Sequence, residues 1–220
     1  MNLPSVLVRA GDHLNPARYG LNIEVSKLSF LEDSVAIRYL GLSLRHAERT
    51  NPMYLIRPLR HDDLRLVEDG LRSGGMPDKH RRRLELQNDG SCTYLFAWQG
   101  HAPVGHLLLT WTGPDQEPMK SVLPDCPEVG ALFVKEDMRS RGIGGCLLEN
   151  AEHLVISRGV HHIGLAVGID NKKAQRLYER RGYVDAGFPQ FIVSWTYLDK
   201  DGREQSESEE CIYLTKRLGD

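Results

Sequence analysis

A strand, a basic glycine-rich loop and a helix follow one another without a break in EVGALFVKEDMRSRGIGGCLLENA, residues 128–151. The apolar run at 128–134 predicts a strand. Leu147, Leu148, Ala151 and Leu154 recur at helical spacing and predict a helix over 143–157. Between them, Arg139-Ser140-Arg141-Gly142-Ile143-Gly144-Gly145 opens the helix with glycines. Glycine tolerates positive φ and lets a ligand approach the backbone. A helix start offers free N–H groups and the positive end of the helix dipole, which suits a phosphate. Arg139 and Arg141 add charge that suits a pyrophosphate.

Rival phosphate motifs fail. The dinucleotide pattern G-x-G-x-x-G needs glycine or alanine at 147, where Leu147 stands. G-x-x-x-x-G-K-[ST], G-x-S-x-G and H-E-x-x-H occur nowhere in the chain. With 28 Lys+Arg against 30 Asp+Glu in 220 residues, the charge lacks the basic excess of a nucleic-acid binder. No run of about 18 apolar residues is present, so no membrane span is expected, and the first residues do not read as a secretory signal. Cys92, Cys126, Cys146 and Cys211 contain no C-x-x-C pair, which speaks against a zinc site or disulfide framework and for a reducing cytoplasm. His161 and His162 are adjacent and would point to opposite faces of a strand, so no metal is expected there.

Residues 1–52 lack sustained periodicity and are expected to be an extension of unclear role, followed by a domain at 53–220. In that domain a strand at 54–57 is stopped by Pro58, and helices are expected from about Asp62 and over 77–86. Strands at 93–98 and 104–111 flank a hairpin turn, and the proline-rich stretch 113–127 reads as a long loop. After the glycine turn and its helix come a strand at 162–169 and a helix at 172–181 with Asn171 as N-cap and Gly182 as stop. Strands at 191–198 and 211–216 close the chain, joined by the acidic connector DKDGREQSESEE. The result is a mixed α/β arrangement in which helices flank a mostly antiparallel sheet.

Arg139-x-x-Gly142-x-Gly144 matches the R/Q-x-x-G-x-G/A acetyl-CoA signature of the GNAT superfamily of N-acetyltransferases. Downstream, Asn171-x-x-Ala174-x-x-Leu177-Tyr178-x-x-x-Gly182-Tyr183 resembles that superfamily's second hallmark, and the element order extends the likeness over 53–218. The resemblance implies the GNAT fold, with two neighbouring parallel strands splayed to admit the pantetheine arm. It implies acetyl-CoA as co-substrate, no metal, and transfer of acetyl to an amine in a ternary complex. Leu132, Phe133 and Val134 would pair with the pantetheine amides, and Arg139, Ser140, Arg141, Gly142, Ile143, Gly144 and Gly145 would hold the pyrophosphate. Asn171 and Ala174 would lie beside the cofactor arm, with Tyr178 at the departing thiolate. Glu128, eleven residues before Arg139, stands where histone acetyltransferases of this superfamily carry their general base.

Elementary chemistry agrees with those roles. An alkylamine with a pKa of about 10.4 is only about 0.04% neutral at pH 7, so a base must remove its proton. At an ordinary carboxylate pKa of about 4.3 Glu128 would be a weak base, so burial must raise it. The acceptor is expected to be a small-molecule amine, with a protein N-terminus or lysine as the alternative, and a non-catalytic acyl-CoA-binding module as a reading of another class. Neither nucleic acid nor membrane is an expected partner, and a homodimer stays open.

Overall fold

The computed structural model describes residues 54–71, 78–199 and 201–219. The extension expected at 1–52 and the helix start expected at Pro77 lie outside these residues. Strand β1 (Leu55–Pro58), a 3-10 turn (His61–Asp63), α1 (Leu64–Gly70) and α2 (Lys79–Asn88) lead into the hairpin of β2 (Cys92–Gln99) and β3 (Ala102–Thr110). A short α3 (Met119–Val122), β4 (Glu128–Val134), α4 (Ile143–Ser157), β5 (His162–Gly168) and α5 (Lys172–Arg180) follow. The chain ends with β6 (Val184–Asp185), β7 (Phe191–Leu198) and β8 (Glu204–Arg217).

All eight strands join one sheet in the order β1-β2-β3-β4-β5-β8-β6, with β7 also on β8. Every pairing is antiparallel except β4 with β5. Side chains alternate across a strand, so the sheet has two apolar faces. Leu95, Ala97, Leu107, Leu109, Val129 and Leu165 pack beneath α4, whose Leu147, Leu148, Ala151 and Val155 are buried with them. Tyr94, Phe96 and Trp98 point the other way, under Leu64 and Val67 of α1 and Leu84 of α2. Glu152 ties α4 to its neighbours: it accepts a 2.7 Å hydrogen bond from Lys216 on β8 and lies 3.7 Å from Arg181 at the end of α5.

Besides the short β6, two stretches depart from the expectation. The proline-rich loop contains α3, held by the fully buried Met119. The acidic connector is mostly strand: β8 begins at Glu204 and pairs with β7 from Leu198↔Glu204 to Phe191↔Cys211. Only a tight turn remains, in which the Asp199 carboxylate accepts from the amides of Asp201 and Arg203, both at 2.9 Å. The outer part of this ribbon buries neither face, so the polar residues of β8 carry no alternating apolar signal.

From β1, Arg57 donates two hydrogen bonds to Asp63, at 2.5 and 2.8 Å, and the Arg60 amide donates a third at 2.9 Å. Burial pushes the Asp63 carboxyl up, but these donors and their charges outweigh it and hold the group below its ordinary value. A depressed folded pKa contributes stability that is full above the unfolded value, about 3.9, and is lost as pH falls through the folded one. Asp63→Ala is therefore expected to cost about 3 kcal/mol at pH 7, because it strands a largely buried guanidinium. Urea titrations at pH 7 and near pH 2 check this: the gap between variant and parent should shrink in acid.

Candidate active site

The β4–β5 ladder holds only two residue pairs, Glu128↔Gly164 and Val129↔Leu165. Beyond them the strands part. The cause lies in β4, where Ala131 takes φ 48° and the register with β3 shifts between His106 and Leu108. One extra residue is accommodated there as a bulge, which bends the strand and resets its alternation. Leu132 and Val134 consequently pack toward the α4 core, while Phe133 turns to the opposite face and stacks on His106 at 5.4 Å.

The glycine turn closes one end of this opening. Gly142 is the N-cap of α4 at φ 83°, Ser140 also has positive φ, and no side chain caps the helix. The first-turn amides of a helix have no intrahelical acceptor, so those of α4, which no side chain caps, are left free to meet an anion. Arg139 and Arg141 are exposed and brace the loop, Nε of Arg139 to the Val134 carbonyl at 3.1 Å and Nη2 of Arg141 to the Asp137 carbonyl at 3.0 Å. A Cβ on Gly144 would lie 3.3 Å from Leu177 of α5 and about 4 Å from Val134 and Leu132, so β4, α4 and α5 converge at this residue. Gly145 faces open space.

Glu128 and Val129 are consecutive on β4 and point to opposite faces. Val129 joins the α4 core, which also holds Tyr178. Glu128 is half-buried on the other face, beside Tyr213 and Cys126. Burial pushes the Glu128 carboxyl up, a hydrogen-bonding contribution from Tyr213 opposes this, and Asp115 adds to it, leaving the group above its ordinary value. Burial pushes the Tyr178 phenol up to about 12. A candidate base and a candidate hydroxyl donor thus stand on opposite faces of the sheet at the point where it opens.

The model of the acetyltransferase (GNAT) family matches residues 60–183, more than half of the chain. The chain belongs to the GNAT family of acetyltransferases. Mycothiol acetyltransferase of Corynebacterium aurimucosum is 30% identical over 109 residues, which are 48% of this GNAT chain and 35% of the relative. The match thus spans about a third of that curated relative. The ribosomal-protein-S18-alanine N-acetyltransferase of Escherichia coli superposes with a TM-score of 0.51 at 22% identity, covering 76% of this chain and 96% of that one. The PaiA N-acetyltransferase of Thermoplasma acidophilum gives 0.54 at 14% identity, covering 75% and 99%. These two likenesses concern the fold.

Within this GNAT fold the structure brings several of the residues singled out from the sequence together. Gly142, Ile143, Gly144, Leu132, Val134 and Ala174 sit on the three converging elements around the opening. Asn171 is the N-cap of α5, its Oδ1 accepting from the Ala174 amide at 3.2 Å. Cys146 packs against the core, and burial pushes its thiol up, which fits a packing residue rather than a nucleophile. Among the described residues no three His, Cys, Asp or Glu side chains gather where they could hold a metal, and no helix is long and apolar enough to cross a membrane.

Two residues at the opening escaped the sequence reading. His106 is buried, and burial, with Arg83, His80 and Lys79 adding, holds it well below its ordinary value, as a neutral ring beside the Ala131 backbone. Tyr213 is the second. Its one advance signal is the small-residue alternation Gly164, Ala166, Gly168 on β5, which leaves room for large side chains from a neighbouring strand.

Proposed function

We propose that the chain is an acetyl-CoA-dependent N-acetyltransferase that acetylates the primary amine of a small cationic molecule by direct transfer in a ternary complex. The observation that carries this reading is the opening between β4 and β5, with an uncapped glycine turn at one end and Glu128 and Tyr178 on opposite faces. In this reading residues 53–220 form the catalytic domain and 1–52 an extension. The free cysteines among the described residues favour a reducing cytoplasm.

Acetyl-CoA would supply an acyl group already activated for attack by an amine. The α4 amides at Ile143, Gly144 and Gly145, with Arg139, Ser140, Arg141 and Gly142, would hold its pyrophosphate. The β4 edge at Leu132, Phe133 and Val134, unpaired with β5, would take its amides, with Asn171 and Ala174 alongside. The crystal structure of the Thermoplasma acidophilum enzyme, of the same fold, is a complex with coenzyme A, which supports this donor. Glu128 takes the proton from the incoming ammonium group, directly or through water. Tyr178 donates a hydrogen bond to the leaving sulfur. With the phenol near 12 and a thiol near about 8.5, full proton transfer would be uphill by roughly 5 kcal/mol. Tyr178 therefore acts by hydrogen bonding to the developing charge.

Support for a small cationic acceptor comes from the face of β5 that Glu128 shares. On that face the Tyr213 ring covers Gly164 and the Glu209 carboxylate lies across Gly168. Two carboxylates on one face, Glu128 and Glu209, suit a cationic acceptor.

Thiol release measured with acetyl-CoA and a panel of amines, with products identified by mass spectrometry, tests the reading. Turnover should appear with linear amines. Tight CoA binding without turnover on any amine or peptide would make the chain a binding module instead. Tyr178→Phe keeps the ring and its packing and is expected to lower turnover about 10-fold at saturating acetyl-CoA, less than the roughly 10²-fold or more of a full proton donor because the phenol only hydrogen-bonds. Full turnover in a stable variant would reduce Tyr178 to a packing residue.

A further inference from the structure

The parallel register that opposes Glu128 to Gly164 also brings a third strand to the site. Tyr213 pairs with Ala166 from the far side of β5. Its ring leans along β5 over Gly164, where a Cβ would run into the hydroxyl and lie 2.7 Å from Cζ. A glycine at 164 is therefore what lets the phenol cross β5 and face β4. The side chain is almost wholly buried at 1% exposure, and the ring of Phe188 stands edge-on to it at 6.2 Å. Two groups flank the hydroxyl, the Cys126 thiol and the Glu128 carboxylate, and it makes no hydrogen bond of full geometry among the described residues. A buried hydroxyl bonds the acceptor within its reach. Cys126 directs its own proton to the Pro127 carbonyl at 3.8 Å, and sulfur is a weak acceptor. The carboxylate is the stronger acceptor by far.

We infer that Tyr213 is a positioning residue for Glu128: its hydroxyl donates to the carboxylate and holds that group, charged and oriented, at the opening between β4 and β5. This rests on the reading of Glu128 as the base. The groups facing Glu128 are Tyr213 from β8, and Asp115 and Cys126 from the segment between β3 and β4. Burial pushes the Tyr213 phenol up, with Glu128 and Cys126 adding, so it stays protonated and remains a donor throughout the working pH range. Cys126, pushed up to about 11 by burial, stays a thiol and brings no competing charge. Burial and Asp115 favour the protonated form of Glu128, and the Tyr213 donor opposes them. Without the hydroxyl, Glu128 must hold its proton to higher pH.

Tyr213→Phe removes that donor and keeps the ring. Carbon-13 NMR of glutamate-labelled protein follows the Glu128 carboxyl, identified by the resonance missing in Glu128→Gln, with thermal melts confirming the fold. The Glu128 midpoint is expected to rise by about one pH unit, the size of one hydrogen bond to a charged group. The acid limb of kcat/KM should move by the same amount. Gly164→Ala, which displaces the phenol without removing its hydroxyl, should raise the midpoint as well. An unmoved midpoint in either folded variant overturns the role of Tyr213, whatever the kinetics. A raised midpoint that the pH–rate profile does not follow overturns Tyr213 as a positioning residue for catalysis and shows that the fault lies with Glu128 as base.

Discussion

Glu128→Gln is expected to lower turnover roughly 10² to 10⁴-fold at neutral pH while CoA affinity holds. Glutamine keeps the shape and the place beside Tyr213 but cannot take a proton. The size follows from the proposed reaction: an alkylamine near pKa about 10.4 presents almost no free base at pH 7, and in the proposed mechanism the carboxylate supplies the missing step. Glu128 suits the task because burial, with Asp115 adding, lifts it above the ordinary carboxylate range while Tyr213 opposes the rise. In the parent enzyme kcat/KM should fall as pH drops through this raised value, where the carboxylate becomes protonated. That limb should vanish in the glutamine variant, and its residual rate should climb at high pH as the amine loses its proton unaided. A pH–rate profile identical to the parent's would make Glu128 a structural residue.

Gly144→Asp should weaken CoA binding about 100-fold or more by calorimetry. Two effects add. The new carboxylate would stand in the first turn of α4, at the amides offered to the pyrophosphate, and repel it. Its Cβ would also press on Leu177 at 3.3 Å, wedging α5 away from β4. Melting temperature separates the two, since a wedge without a phosphate site would lower stability and leave affinity largely intact. Unchanged affinity in a folded variant would remove the phosphate role from the turn.

The part of this protein legible in its sequence is the part built from neighbours in the chain. A glycine at 142 to take positive φ, the start of α4 at Ile143, and Asn171 capping α5 through the Ala174 amide all depend on residues within one helical turn. Such contacts are written directly in residue order. Glu128 and Tyr178 were legible as candidates through the spacing of motifs that hold those local structures.

Tertiary pairing decided the rest. Whether β4 and β5 stay together or part depends on a bulge at Ala131, and nothing local requires positive φ from an alanine; the cross-strand register with β3 imposes it. The acidic stretch 204–210 has no apolar alternation and becomes strand because β7 runs beside it. Tyr213 and Glu128 come from distant parts of the chain and meet because β8 and β4 flank β5 in a register that sets a glycine between them. A shift of one residue in that register would have turned either side chain to the opposite face. Side-chain chemistry is a property of the sequence, but the face on which it acts is fixed by hydrogen bonds between strands far apart in it.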